Sequence, residues 1–182
     1  MAILKELRPV MLILIGASVM LSLGMGVRQS FGLVMQQLTR DIALTVSDFA
    51  LAMSVQNLAW GFLQPVAGAL AVRLGFRPIM VGGAALYVAG LGLFSRADGM
   101  TGVMLGGGVL IGMALACTAS AISLAVGARA VPARSRSFVL GAITATGSLG
   151  ALLSAPLGQM LTTDFGWRTG LLGFLALTVF ML

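Results

Sequence analysis

Arg28 is the residue whose chemistry this sequence least accounts for. It sits in GMGVRQSFG, residues 24–32, between uncharged runs at 11–27 and 29–38. A guanidinium at the centre of a membrane helix costs roughly 2.5–3.5 kcal/mol on insertion scales, so such a residue marks a candidate site. Its donors form a planar fork that fits the two oxygens of a carboxylate. Leu21, Gly24, Gly32 and Met35 share its side of a helix, four and seven residues to either side of it. The two glycines leave room for a ligand or for a neighbouring backbone, and Gln29 is adjacent in the chain. The competing reading is that Arg28 snorkels at the outer interface. Counting ~1.5 Å per residue from Pro9 puts it about 28 Å up, near the outer edge of a ~30 Å hydrocarbon core.

Other chemistries are poorly supplied. The chain has no histidine and one cysteine, Cys117, which falls in an apolar run. That excludes a His/Cys metal site, a histidine base and an intrachain disulfide within this sequence. The five acids are Glu6, Asp41, Asp48, Asp98 and Asp164, and each lies between apolar runs or near the end of one. None is placed to carry a proton at membrane depth. There is no aspartate pair at depth and no G-x-S-x-G, so the sequence does not read as an enzyme. Gly106-Gly107-Gly108 followed by Gly112 lies within an apolar run and lacks a lysine, so it is not a phosphate loop, and no cofactor is implied. Net charge is +6, but the eleven basic residues are scattered and the densest group (Arg129, Arg134, Arg136) lies between two apolar runs. That is the anchoring of membrane helices rather than a nucleic-acid footprint.

The elements that must position Arg28 follow from composition. The 182 residues are 59% hydrophobic and 9% charged, against about 25% charged in a soluble domain. The class is an all-α integral membrane protein whose first partner is the lipid bilayer. Charges and turn residues divide the chain into six apolar runs, at about 9–38, 47–72, 78–95, 101–127, 137–161 and 168–182. Pro9 suits a helix start, and Ser47 and Asp48 are cap candidates. The first run is longer than a signal-peptide core and reads as a retained helix. The stretch 169–182 supplies 14 residues, short of the ~20 a span needs, so the sixth span is expected to be incomplete here.

With the N-terminus in the cytoplasm, seven Lys and Arg fall inside (Lys5, Arg8, Arg73, Arg77, Arg129, Arg134, Arg136) and three outside (Arg40, Arg96, Arg168). This orientation satisfies the positive-inside rule. The sequence also repeats. Pro65 precedes Gly75-Phe76-Arg77 by ten residues, and Pro156 precedes Gly166-Trp167-Arg168 by ten, at an offset of 91. With six spans, one copy falls at a cytoplasmic junction and the other at an external one. Two inverted three-helix units are expected.

The stretch GALAVRLGFR, residues 68–77, resembles the loop signature of the major facilitator superfamily between its second and third helices, G-x-L-A-D-R-x-G-R-[RK]. Gly68, Leu70, Ala71, Arg73, Gly75 and Arg77 match, while Val72 replaces the signature aspartate and Phe76 an arginine. The aspartate contributes to a cytoplasmic latch in the family, and its loss puts that latch in doubt here. VRQSFG in the first run, QNLAWGFLQPVAG in the second, and Gly147-Ser148-Leu149-Gly150 with Pro156 and Gly166-Trp167-Arg168 resemble the monocarboxylate-porter and oxalate/formate-antiporter branches. Gly108 stands where proton-coupled drug exporters tend to carry an arginine, which argues against that branch.

The resemblance covers essentially the whole chain as the N-terminal six-helix half of a twelve-helix transporter. It implies secondary transport of a small organic anion, a mono- or dicarboxylate, across the cell inner (plasma) membrane. The chain then acts with a C-terminal half or a second copy, and alone it could be an inactive half. The first helix lines the central cavity in this family, so Arg28 and Gln29 become candidate substrate contacts. Asn57 and Gln64 belong to a stripe with Ser54, Gly61 and Gly68 that either contacts substrate or seals a helix–helix contact. Thr118 lies on a small, mildly polar face with Cys117 and Ala121, also open to both readings. Gly147, Gly150, Ser154 and Gly158, with Pro156 among them, read as a close-approach and hinge surface. Arg73, Arg77, Arg129, Arg134 and Arg136 gather at the cytoplasmic side, where helix-end carbonyls, lipid head groups or a carboxylate of the other half could receive them.

Overall fold

A computed structural model describes residues 8–179 and 181, and among them the regular structure is entirely helical. After a short turn at Arg8–Val10, α1 runs Met11–Asp41, α2 Val46–Leu74 and α3 Phe76–Ser95. α4 spans Met100–Ala130 with irregularities. α5 is Ala133–Val179, a continuous run whose backbone leaves the helical region at Gly166, giving limbs at 133–165 and 167–179. Four of these helices, α1, α3, α4 and α5, are long and apolar enough to cross a membrane. α2 falls short of that apolar standard because Gln56, Asn57 and Gln64 interrupt its middle.

Large apolar side chains face outward. Leu12, Phe62, Leu152 and Leu153 are all more than half exposed, which is costly in water and natural in lipid. This is a multi-pass membrane protein. The interior is assembled on small residues instead. Along α1, Ser22, Gly26 and Ser30 recur at four-residue steps and meet Gly150, Ser154 and Gly158 of α5. A methyl on Gly26 would overlap Ser154 Oγ, and one on Gly150 would overlap Ser22. Ser22 Oγ donates to Thr146 O at 2.9 Å and Ser30 Oγ to Ser154 O at 3.1 Å. Lipid is as apolar as leucine, so close backbone contact and hydroxyl bonds hold such a seam. Gly147 presses on Leu21, and Pro156 points out of the bundle.

α4 departs from a regular helix twice. Val103–Leu110 is a π-helical stretch containing the glycine triplet. Gly106 lies so close to α3 that an added methyl would stand 2.7 Å from Phe94 N. On the other side, a methyl on Gly112 would stand 2.7 Å from Gln56 O of α2. The buried Gln56 amide donates to Gly107 O at 2.6 Å, supplying a partner inside the irregular ladder. The second departure is Ala119, extended at φ −73° and ψ −170°. Ser123 Oγ donates to the Thr118 carbonyl at 3.0 Å beside that break.

The cap of α2 is Thr45, earlier than the Ser47 and Asp48 expected. Thr45 Oγ1 accepts from Asp48 N at 3.1 Å, and Asp48 Oδ2 accepts from Thr45 N at 3.0 Å, a reciprocal capping box. At the α2–α3 corner Gly75 takes φ 93° and ψ 160°, and within α5 Gly166 takes φ 82° and ψ 161°. The two sequence copies thus turn the chain through the same backbone conformation.

Candidate binding site

α1 extends 13 residues past Arg28 to Asp41, so at ~1.5 Å per residue the guanidinium's helix position is about 20 Å from that end. One turn before it, Gly24 is packed into the bundle: Tyr87 Oη donates to its carbonyl at 2.9 Å, and an added methyl would stand 3.9 Å from Thr118 Oγ1. One turn after it, Gly32 has nothing within 4 Å of where a methyl would be. Arg28 therefore lies on the border between the packed interior and an open face, and is half-buried there.

Two residues of α2 receive the guanidinium. Nη2 donates to Asn57 Oδ1 at 2.8 Å, and Cζ stands 5.3 Å from the centroid of the Trp60 ring. Both contacts hold the cation in place without cancelling its charge. Arg28 makes no ion pair with a carboxylate among the described residues. Asp41 instead accepts from Trp167 Nε1 at 2.8 Å, Asp48 sits in its capping box and Asp98 pairs with Arg168. Among the described residues Arg28 Nε is buried with no partner, and so is Nε1 of Trp60, whose ring leans on the apolar core.

Gln29 and Asn57 are exposed and Gln64 is half-buried. Asn57, Gly61, Gln64 and Gly68 follow one face of α2, where the two glycines have open space around them. The structure thus brings Arg28 to Asn57 on an open polar face, with Gln64 farther along it. Thr118 is elsewhere: it is fully buried, and its hydroxyl donates to Ala114 O at 2.8 Å within its own helix. Trp60 and Gln56 went unremarked in the sequence. Trp60 stands three residues after Asn57, so the helical period alone puts it beside that amide.

The residues of the loop signature lie at the other end of the bundle from the Asp41–Trp167 bond. Gly75 makes the corner, and Arg73 and Arg77 are exposed. Arg136 Nε donates to Ala128 O at 3.1 Å, so a helix-end carbonyl receives one of these arginines, and Arg129 stacks on Phe76 at 5.0 Å. A cavity of about 1030 Å³ opens here, with Arg77 and Arg129 on walls that are otherwise chiefly aliphatic, among them Leu12, Ile13 and Met80. Arg28 does not line it. The cavity thus has cations of its own, Arg77 and Arg129, and the Arg28–Asn57 pair stands apart from it.

A multi-pass helical membrane protein with a cation on an open face, uncompensated by a carboxylate among the described residues, has the makings of a solute carrier. The family model of the Major Facilitator Superfamily matches residues 12–182, and the chain belongs to that family. It is a family of transporters and not of enzymes. Among its relatives, monocarboxylate transporter 3 of Mus musculus is 31% identical over 149 residues, covering 82% of this chain and 30% of that protein. Monocarboxylate transporter 11 of Mus musculus is 34% identical over 162 residues, covering 86% and 35%. Monocarboxylate transporter 13 of Rattus norvegicus is 31% identical over 155 residues, covering 85% and 36%. The chain spans about a third of the length of these relatives.

Proposed function

We propose that this chain forms one half of a secondary transporter that carries a small organic anion, a mono- or dicarboxylate, across the cell inner (plasma) membrane by alternating access. The observation that carries the reading is the state of Arg28. A guanidinium well inside a membrane-length helix is held by an amide oxygen and an aromatic face, with its charge uncompensated by a carboxylate among the described residues. A cation so placed favours an anionic ligand on electrostatic grounds, and a carboxylate fits the guanidinium fork. The names of the relatives point to the same class of solute.

In this reading six spans cross with the N-terminus in the cytoplasm, as two inverted three-helix units. The matched corners at Gly75 and Gly166 support the repeat, and the seven-to-three division of Lys and Arg supports the orientation. Arg28, Gln29, Asn57 and Gln64 form one wall of the site. The facing wall belongs to a second six-helix body, supplied by further chain or by a second copy, and the two rock about the site between them. Thr118 stays inside the first wall. Gly147, Gly150 and Gly158 form the seam that keeps α1 and α5 moving as one body.

The test is uptake of a radiolabelled monocarboxylate into proteoliposomes. Arg28→Ala abolishes uptake while leaving thermal stability in detergent within a few degrees of the parent. Arg28→Lys also impairs it, because a point charge does not reproduce the fork. Unchanged uptake in Arg28→Ala sinks the reading.

A further inference from the structure

The described charges divide unevenly between the two ends of the bundle. The carboxylates among the described residues, Asp41, Asp48, Asp98 and Asp164, lie at or near the end that holds the Asp41–Trp167 bond. Arg73, Arg77, Arg129, Arg134 and Arg136 lie at the other end. The cavity of about 1030 Å³ between α1, α3 and α4 opens among these arginines, with Arg77 and Arg129 on its walls. Both are exposed. Arg77 is the second residue of α3 and Arg129 the second last of α4, so the two cations stand where membrane helices end and head groups begin. Arg129 stacks on Phe76 at 5.0 Å, which orients its guanidinium and leaves its donors to be used. α3 starts at Phe76 without a side-chain cap, and the positive end of its dipole adds to the two charges. The remaining walls are chiefly aliphatic, and Leu12, Ile13 and Val81 on them are exposed.

We propose that this cavity holds one anionic phospholipid, with its phosphate between Arg77 and Arg129 and an acyl chain laid along Leu12, Ile13 and Val81. The occupant follows from two chemistries joined in one space. A small carboxylate would meet the arginines and leave the aliphatic walls bare. A neutral hydrocarbon would cover the walls and leave two cations unmet. A phospholipid supplies both parts, and the bilayer presents them at this depth. A zwitterionic head group brings a cation of its own, for which this end of the bundle offers no carboxylate among the described residues. A net negative head group is therefore favoured. A lipid so seated ties the first turns of α1 and α3 to the last turn of α4 and steadies them as one body. The proposal is independent of the reading of Arg28, which does not line this cavity.

The test places the protein in nanodiscs of phosphatidylglycerol and phosphatidylcholine in equal parts and reads the lipid retained by native mass spectrometry. The parent keeps phosphatidylglycerol in preference to phosphatidylcholine. Arg77→Gln combined with Arg129→Gln lowers that retention by about tenfold or more. Arg77→Lys combined with Arg129→Lys keeps it, because an ammonium also binds phosphate, as a point charge. Equal retention of the two lipids by the parent, or undiminished phosphatidylglycerol on the glutamine pair, overturns the proposal. A second measurement needs the parent alone, so it stands even where the glutamine pair fails to fold. Phosphatidylglycerol carrying a diazirine on its acyl chain is photolysed in the nanodisc, and the labelled peptides are mapped. Labelling across residues 12–20 and 76–81 is expected to exceed severalfold that at Leu152 and Leu153, which are exposed on α5 and do not line this cavity. Equal labelling means passing contact with bulk lipid, and labelling of α5 without these stretches means that protein closes the cavity; either result defeats the proposal. Neither bears on Arg28, whose test is uptake.

Discussion

Asn57 holds Arg28 without neutralising it, and that choice of residue has a measurable consequence. A carboxylate at this position would accept the same hydrogen bond and add an ion pair. Such a pair would compete with an incoming anion for the same cation, and the guanidinium would then be spent on the protein. The amide oxygen fixes the fork and leaves the charge to be used. Asn57→Asp is therefore expected to harm anion uptake more than Asn57→Ala does, although aspartate is the closer replacement in shape. The expected loss for Asn57→Asp is at least roughly tenfold in apparent affinity, about 1.4 kcal/mol, read as KM for a monocarboxylate in proteoliposomes. Asn57→Ala keeps the cation but loosens it, and a smaller rise in KM follows. If aspartate is tolerated as well as alanine, the charge of Arg28 is not what binds the solute.

At the scale of the elements, the corners at Gly75 and Gly166 give a test independent of transport. Their φ of 93° and 82° lie with ψ near 160°, a region that side chains strongly disfavour. Space is not the obstacle: a methyl at Gly166 would meet nothing within 4 Å, and one at Gly75 would meet Pro78 Cδ at 3.9 Å. Gly75→Ala and Gly166→Ala should each cost about 1–3 kcal/mol through backbone strain alone, visible as similar falls in the thermal unfolding midpoint in detergent. A neutral result at either corner would show that the chain turns another way there. These corners were legible in the sequence because a glycine in this conformation is a demand on residue type, and the demand recurs after 91 residues. Arg28 was legible for a similar reason, as a charge where charges are costly. The irregularities of α4 were not. Glycines 106–108 read as apolar helix until α2 and α3 are seen closing on them. Alanine is the strongest helix former, so nothing local predicts a break at Ala119. Thr118 looked polar by type, yet its hydroxyl is consumed by a carbonyl of the preceding turn. Trp60 was not singled out by its type, because its indole is mostly carbon.

Across the whole molecule, one end of the bundle is tied by side chains of the second sequence copy. Trp167 donates to Asp41, joining the second limb of α5 to the end of α1. Its neighbour Arg168 donates to Ser95 O at 2.9 Å and Ala97 O at 3.0 Å, gripping the chain just where α3 finishes. The copies share a corner but use it differently. In the first, Phe76 is stacked by Arg129 from α4, and in the second Trp167 is stacked by its own neighbour, Arg168, at 4.5 Å. Arg168 also forms an ion pair with Asp98 at 2.8 Å, and magnitudes decide which of its contacts matters. The paired side chains are 42% and 87% exposed, and such surface pairs contribute roughly 0–1 kcal/mol. The carbonyls at a helix end have no partner of their own, and a cation there also meets the negative end of the helix dipole. Arg168→Ala should therefore destabilise the protein by about 1–2 kcal/mol, the charged hydrogen bonds being discounted for exposure, while Asp98→Ala changes stability little. Thermal unfolding of the two variants side by side gives the comparison, and hydrogen exchange gives the location: Arg168→Ala should raise exchange near residues 95–99 without raising it at the Gly75 corner. Equal losses in the two variants would mean that the ion pair, and not the grip on the end of α3, holds this end of the molecule closed.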